Sequence, residues 1–168
     1  MRSSRAFTLV ELMVTVAVLA IILSIAVPSF SELIRANRAQ TQAGLLLNSF
    51  NLARSEAIKR GAEVRVTALS DDDWHLGWRI WVDSNGNNTL DNGELIRVFP
   101  AWGGTDTLIS TTTPPTTQVV FSAEGRLADL AAGANNNFDY EVEPSDCRYA
   151  RTITINAVGR ATTTPQGC

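Results

Sequence analysis

The stretch Phe7–Val27, FTLVELMVTVAVLAIILSIAV, constrains the chain more than any other. It is apolar almost throughout, and at the rise of an α-helix it spans ~30 Å, the hydrocarbon thickness of a bilayer. Arg2 and Arg5 precede it, which favours a cytoplasmic N-terminus and places residues 28–168 across the membrane. Glu11 is the exception within the run. An ionised carboxylate deep in hydrocarbon costs at least ~2.5 kcal/mol, so such a group calls for a partner. No Lys, Arg or His lies between Ala6 and Arg35. The partner therefore comes from outside the segment, and one candidate is an α-amino group made by cutting before Phe7, on the same chain or a neighbouring copy. Three plainer readings compete. A secretory signal with a Ser24-Ile25-Ala26 cleavage site would have an overlong core carrying an acid. A simple single-pass anchor gains nothing from Glu11. A buried helix of a soluble protein is disfavoured by length and apolarity.

Arg5-Ala6-Phe7-Thr8-Leu9-Val10-Glu11 followed by an apolar run resembles a type IV prepilin processing site. That resemblance implies a leader peptide, 1–6, and cleavage between Ala6 and Phe7 by a prepilin peptidase. It also implies N-methylation of Phe7 and an assembly role for Glu11. Ala6 stands where Gly is usual in that family. The segments Leu52–Gly61 (LARSEAIKRG), GWRIWVDSNGNNTLDNGE and Phe121–Arg126 (FSAEGR) resemble minor pilins and pseudopilins of the GspH/FimT/FimU type. The implied partners are other minor and major pilins or pseudopilins, the peptidase and an inner-membrane assembly platform. The implied roles are priming of pilus assembly or a place near the tip. Service in a type II secretion system, or DNA uptake, is the alternative.

Beyond the apolar run the patterning stays helical. Pro28 predicts a bend, because proline lacks the N–H that an inner helical position donates. Apolar residues then recur at three- and four-residue steps: Phe30, Leu33, Ile34, Ala43, Leu46, Leu47, Phe50, Ala53, Ala57 and Ile58. Gly61 ends the helix after Lys59 and Arg60. The expected division is a membrane or filament-core helix at 7–27, an amphipathic helix at 28–60 and a β-rich head at 61–168. After Gly61 the period shifts towards two. Strands are expected at Glu63–Leu69, Gly77–Val82, Leu95–Phe99, Thr107–Ile109, Gln118–Phe121, Asn137–Val142, Tyr149–Ile155 and Gly159–Thr163. The second and third are expected to pair, and the last two form a terminal hairpin. The fold class is α+β: a long N-terminal helix on a small antiparallel β-sheet head, type IV pilin-like as the resemblance implies. A Thr/Pro-rich piece at Thr111–Thr117 stands apart from these patterns.

Candidate chemistry is sparse. Asp83, Asn85, Asn87, Asp91 and Glu94 fall at the spacing of a calcium-binding loop. Asn88 occupies the place usually held by Gly, and the flanks read as strands, so an Asn/Gly hairpin loop is preferred and no metal or other cofactor is expected. His75 is the sole histidine, and no nucleophile elbow accompanies it. No catalytic residues are assigned, and the chain is read as structural. The four Trp fit a small core better than a sugar-binding surface. Arg148, Arg151 and Arg160 are too few for a nucleic-acid footprint on a chain of formal charge −3, so nucleic acid is not an expected partner. Cys147 and Cys168 are the only cysteines. Beyond a bacterial inner membrane they would form a disulfide, contributing about 3 kcal/mol by chain entropy.

Overall fold

A computed structural model of the chain describes residues 7–143 and 146–167. Helix α1 runs without interruption over Leu9–Arg60, 52 residues, and Pro28 lies inside it. Thr8 starts it: its hydroxyl accepts the Glu11 N–H at 3.2 Å, and its carbonyl accepts the Leu12 N–H at 3.2 Å. This is the threonine half of a capping box, Thr-x-x-Glu, which satisfies one of the orphan donors of the first turn. The end is a left-handed glycine, Gly61 at φ 61°, whose N–H bonds the Ala57 carbonyl at 2.9 Å.

The chain forms two compact units, one ending at Asn37 and the other spanning Arg38–Cys168. In the first, every residue from Phe7 to Ile34 is exposed. The second holds the core. Its part of α1 buries Ala39, Ala43, Leu46, Ser49, Phe50, Ala53 and Ala57, a stripe at helical spacing. Four alanines on that stripe let a sheet approach closely, while Leu46 and Phe50 each contribute roughly 1.5–3 kcal/mol by burial. The buried stripe is shorter than the apolar periodicity suggests. Phe30, Leu33 and Ile34 are 64%, 55% and 45% exposed, and Ile58 lies outside the stripe at 53%.

Eight strands follow: β1 Glu63–Ala68, β2 Gly77–Asp83, β3 Leu95–Pro100, β4 Thr107–Ser110, β5 Gln118–Phe121, β6 Asn135–Glu141, β7 Arg151–Asn156 and β8 Ala161–Pro165. They make two antiparallel sheets rather than one, ordered β3-β2-β1-β5 and β4-β6-β7-β8. The expected β2–β3 and β7–β8 pairs are present. Alternation sorts the faces of β6 and β7, where Phe138, Tyr140, Ile153 and Ile155 are buried, while Val64, Val66 and Ala68 line the inner face of β1. A short 3-10 turn, Trp74–Leu76, carries the chain into β2.

Aromatic rings join the layers. Phe50, Trp74 and Phe138 meet pairwise, with centroids 4.9–6.3 Å apart. Trp102 sits edge-on to Trp78 of one sheet at 5.8 Å and to Tyr140 of the other at 5.6 Å. Trp78 in turn donates from Nε1 to Ser49 Oγ of α1 at 2.9 Å, wholly out of solvent. Such contacts contribute about 0.5–1.5 kcal/mol each beyond area burial. Trp74, Trp78 and Trp81 are therefore core residues. The β7–β8 turn is tight: Gly159 has φ 77°, and a Cβ there would lie 2.3 Å from the Gly125 carbonyl oxygen.

Candidate functional site

Two regions carry the residues singled out above. The first is the start of α1. Ala6 and the leader lie outside the described residues. Phe7 is 73% exposed, and the apolar side chains that follow it, from Leu9 to Val27, are exposed as well. The helix is long and apolar enough to cross a membrane, and none of its apolar window is buried. Glu11 lies in its first turn, with no ion-pair partner among the described residues. The run thus presents a greasy cylinder with one carboxylate close to its beginning. A surface of this kind is stable only against lipid or against other apolar helices.

The second region is the β2–β3 loop. Asp83 and Glu94 are buried, whereas Asn85, Asn87 and Asp91 are exposed. The carboxylates of this loop are taken up by N–H groups of the loop itself. Asp83 accepts the backbone N–H groups of Asn87 and Asn88 at 3.1 and 3.0 Å. Glu94 accepts those of Ser84 and Asp91 at 2.9 and 3.0 Å. Asp91 receives the side-chain amides of Asn85 and Asn87 at 2.9 and 2.8 Å, which hold its carboxyl below the usual aspartate range. No group of three or more His, Cys, Asp or Glu suited to a metal ion occurs among the described residues. The positive charge beside Asp83 is Arg65 of β1, whose Nη2 lies 3.2 Å from Asp83 Oδ2 and also donates to Asn88 Oδ1. The Arg65 guanidinium also lies 5.5 Å from the Trp81 ring centroid and pairs with Glu63 at 3.0 Å. Sequence reasoning missed Arg65, because a charged residue in an alternating strand reads as solvent-facing.

The remaining candidates are dispersed. His75 is half-buried on the 3-10 turn, and its carbonyl accepts the Trp102 N–H at 3.0 Å. Arg148 pairs with Asp146 at 2.7 Å. Arg151 donates to the carbonyls of Arg148 and Ala150 at 3.3 and 2.9 Å. Cys147 is disulfide-bonded. Cys168 lies outside the described residues. A buried group of different character ties α1 to the sheet: Asp106 accepts from Tyr140 Oη at 2.7 Å and faces Arg38 at 3.6 Å. Burial and the neighbouring Asp106 carboxylate push the Tyr140 hydroxyl well above its ordinary pKa.

An exposed apolar helix that continues into a face packed on antiparallel sheet is the architecture of the pilin class. Residues 1–27 match the prokaryotic N-terminal methylation motif. Residues 42–159 match the family described as type II transport protein GspH, and the chain belongs to that family. It is a GspH-family chain that carries the N-terminal methylation motif. No curated protein matches it. The fold is that of the type IV minor pilin FimU of Pseudomonas aeruginosa strain PAO1, known in two crystal forms. One superimposes with TM-score 0.63 at 24% identity, covering 77% of this chain and 90% of that one. The other gives TM-score 0.60 at 24% identity, covering 75% and 92%.

Proposed function

We propose that the chain is a minor subunit of a type IV pilus, cut between Ala6 and Phe7 by a prepilin peptidase and methylated on Phe7. Before assembly, residues 7–27 lie in the inner membrane and residues 28–168 in the periplasm, where Cys147 and Cys168 form the disulfide. The observation that carries this reading is Glu11. It is the lone acid in the exposed apolar run 7–27 and has no ion-pair partner among the described residues. In hydrocarbon its charge costs at least ~2.5 kcal/mol. The amine at Phe7 of an adjacent subunit relieves that cost, and the low dielectric makes the pair strong. Pairing with a neighbour then becomes a condition for leaving the bilayer, which couples processing to assembly. The assembly platform of the inner membrane receives the processed subunit, which primes the filament or sits near its tip. The chain acts as a structural subunit, without a cofactor and without chemistry of its own. Nucleic acid is not its partner: the formal charge is −3, and Arg148 and Arg151 are engaged locally.

Mass spectrometry of the mature N-terminus tests the reading. N-methyl-Phe7 is expected; retention of Met1–Ala6, or a new start after Ala26, overturns it. Glu11→Ala is expected to be processed normally yet to be depleted from sheared filaments by tenfold or more, roughly the loss of 1.4 kcal/mol or greater. Normal incorporation refutes the pairing. A second reading is a pseudopilin of a type II secretion system, favoured by the description of the matched family. Deleting the gene separates the two: loss of pili with intact secretion supports the pilus, and the reverse result supports the secretion machine.

A further inference from the structure

The Thr/Pro tract between β4 and β5 is held at both ends and presented at its centre. The Thr111 N–H bonds the Asn137 carbonyl at 2.9 Å, and the Thr112 hydroxyl accepts the Asn137 N–H at 2.9 Å. On the far side Thr116 donates its N–H to Ser110 Oγ at 2.9 Å, and its carbonyl accepts Trp74 Nε1 at 2.9 Å. The Thr117 carbonyl accepts the Ala68 N–H at 3.0 Å. Between these feet Thr113, Pro114 and Pro115 are exposed.

The hydroxyls of the first three threonines differ. Those of Thr111 and Thr112 bond to the neighbouring strand β6. The hydroxyl of Thr113 makes no hydrogen bond among the described residues, so packing gives no reason for a threonine there. The chain bends at residues 112–114, and the two prolines lack the N–H that a sheet or helix would use. Exposed threonines with neighbouring prolines are the compositional mark of O-glycosylated segments. A groove of ≈ 360 Å³ adjoins the tip, lined by Thr113, Pro115, Leu130, Asp129 and Asn136 among others. Its lining mixes proline and leucine carbons with carboxylate, amide and hydroxyl groups, the chemistry that a sugar ring meets. The other exposed threonine run, Thr162–Thr164, lies within β8 and is tied to β7 by pairing. It cannot leave the sheet to enter an enzyme's cleft.

We propose that Thr113 is an O-glycosylation acceptor and that this groove seats the first sugar. The reaction needs a sugar activated as a phosphate ester and a separate transferase on the side of the membrane where the head lies. Thr113 Oγ1 attacks the anomeric carbon and forms the new C–O bond as the anomeric bond to phosphate breaks. The phosphate leaves with the electron pair, the hydroxyl proton passes to a base on the transferase, and no atom changes oxidation state.

The test is mass spectrometry of the full-length protein isolated from the cells that produce it. The tryptic peptide Val98–Arg126 is fragmented by a method that preserves glycans. A saccharide increment on Thr113, absent from Thr113→Val and present in Thr113→Ser, is expected. An unmodified wild-type peptide overturns the proposal, as does an increment that persists in Thr113→Val. The same digest reads the N-terminus separately. N-methyl-Phe7 with bare Thr113 removes this proposal and leaves the pilin reading intact; a modified Thr113 with an unprocessed leader does the opposite.

Discussion

Arg65 gives the most exacting test of how the head is built. Its guanidinium is buried beside Asp83, which is itself buried, at 3.2 Å. Replacing it by Met keeps the stem and removes only the charge and its donors. Removing one partner of a buried pair typically costs about 3–5 kcal/mol, because the other charge is stranded. Asp83 would retain the N–H groups of Asn87 and Asn88, which places the loss at the lower end, about 3 kcal/mol. For a unit of this size that lowers Tm by roughly 10 °C. The assay is tryptophan fluorescence of the detergent-solubilised protein, since all four tryptophans lie between Trp74 and Trp102 and report only the head. If stranded charge is the cause, adding Asp83→Asn to Arg65→Met restores at least about half of the loss. A shift below about 3 °C for the single variant, or no recovery in the double, refutes the reasoning.

Three further expectations follow from the same contacts. Ser49→Ala strands the indole N–H of Trp78 in the core and should destabilise the head by about 2 kcal/mol, read by urea titration. Gly159→Ala meets both a left-handed backbone and the Gly125 carbonyl, so it should cost at least about 2 kcal/mol; a neutral melt would show that the turn relaxes freely. The Asn85 and Asn87 amides hold the Asp91 carboxyl below the ordinary aspartate range, so these bonds persist throughout that range and are lost as pH falls below it. The side-chain amide resonances of both asparagines should move below about pH 3.8 and not above it; a constant spectrum would deny that linkage.

Much of this architecture was readable before any coordinates. Period-two alternation located strands that bury one face, as in Phe138 and Tyr140 of β6 or Ile153 and Ile155 of β7. The helix was legible from its spacing and from Gly61. What one element's pattern does not carry is the identity of its partner. The division of the strands between two sheets, with Trp102 bridging them, depends on loops such as the Thr/Pro tract and not on strand composition. Phe30, Leu33 and Ile34 look like a continuation of the core stripe, yet only from Ala39 onward is the stripe buried. The calcium-like spacing at Asp83–Glu94 was visible, but Arg65, which supplies the positive charge beside Asp83, comes from the neighbouring strand β1. Glu11 stood out at once because chemistry, not packing, makes it conspicuous. The Thr8 cap went unnoticed because its signature overlaps the processing motif.

Two of the four edge strands, β3 and β8, have a consequence for life in a crowded polymer. Each lies at the margin of its sheet, and each finishes in proline, Pro100 and Pro165. Proline offers no N–H to an incoming strand, and Arg97 on β3 adds charge that discourages zippering. At these two edges, heads brought to high local density have little means of fusing backbone to backbone. They must distinguish one neighbour from another by side chains, an association that stays reversible as subunits enter and leave.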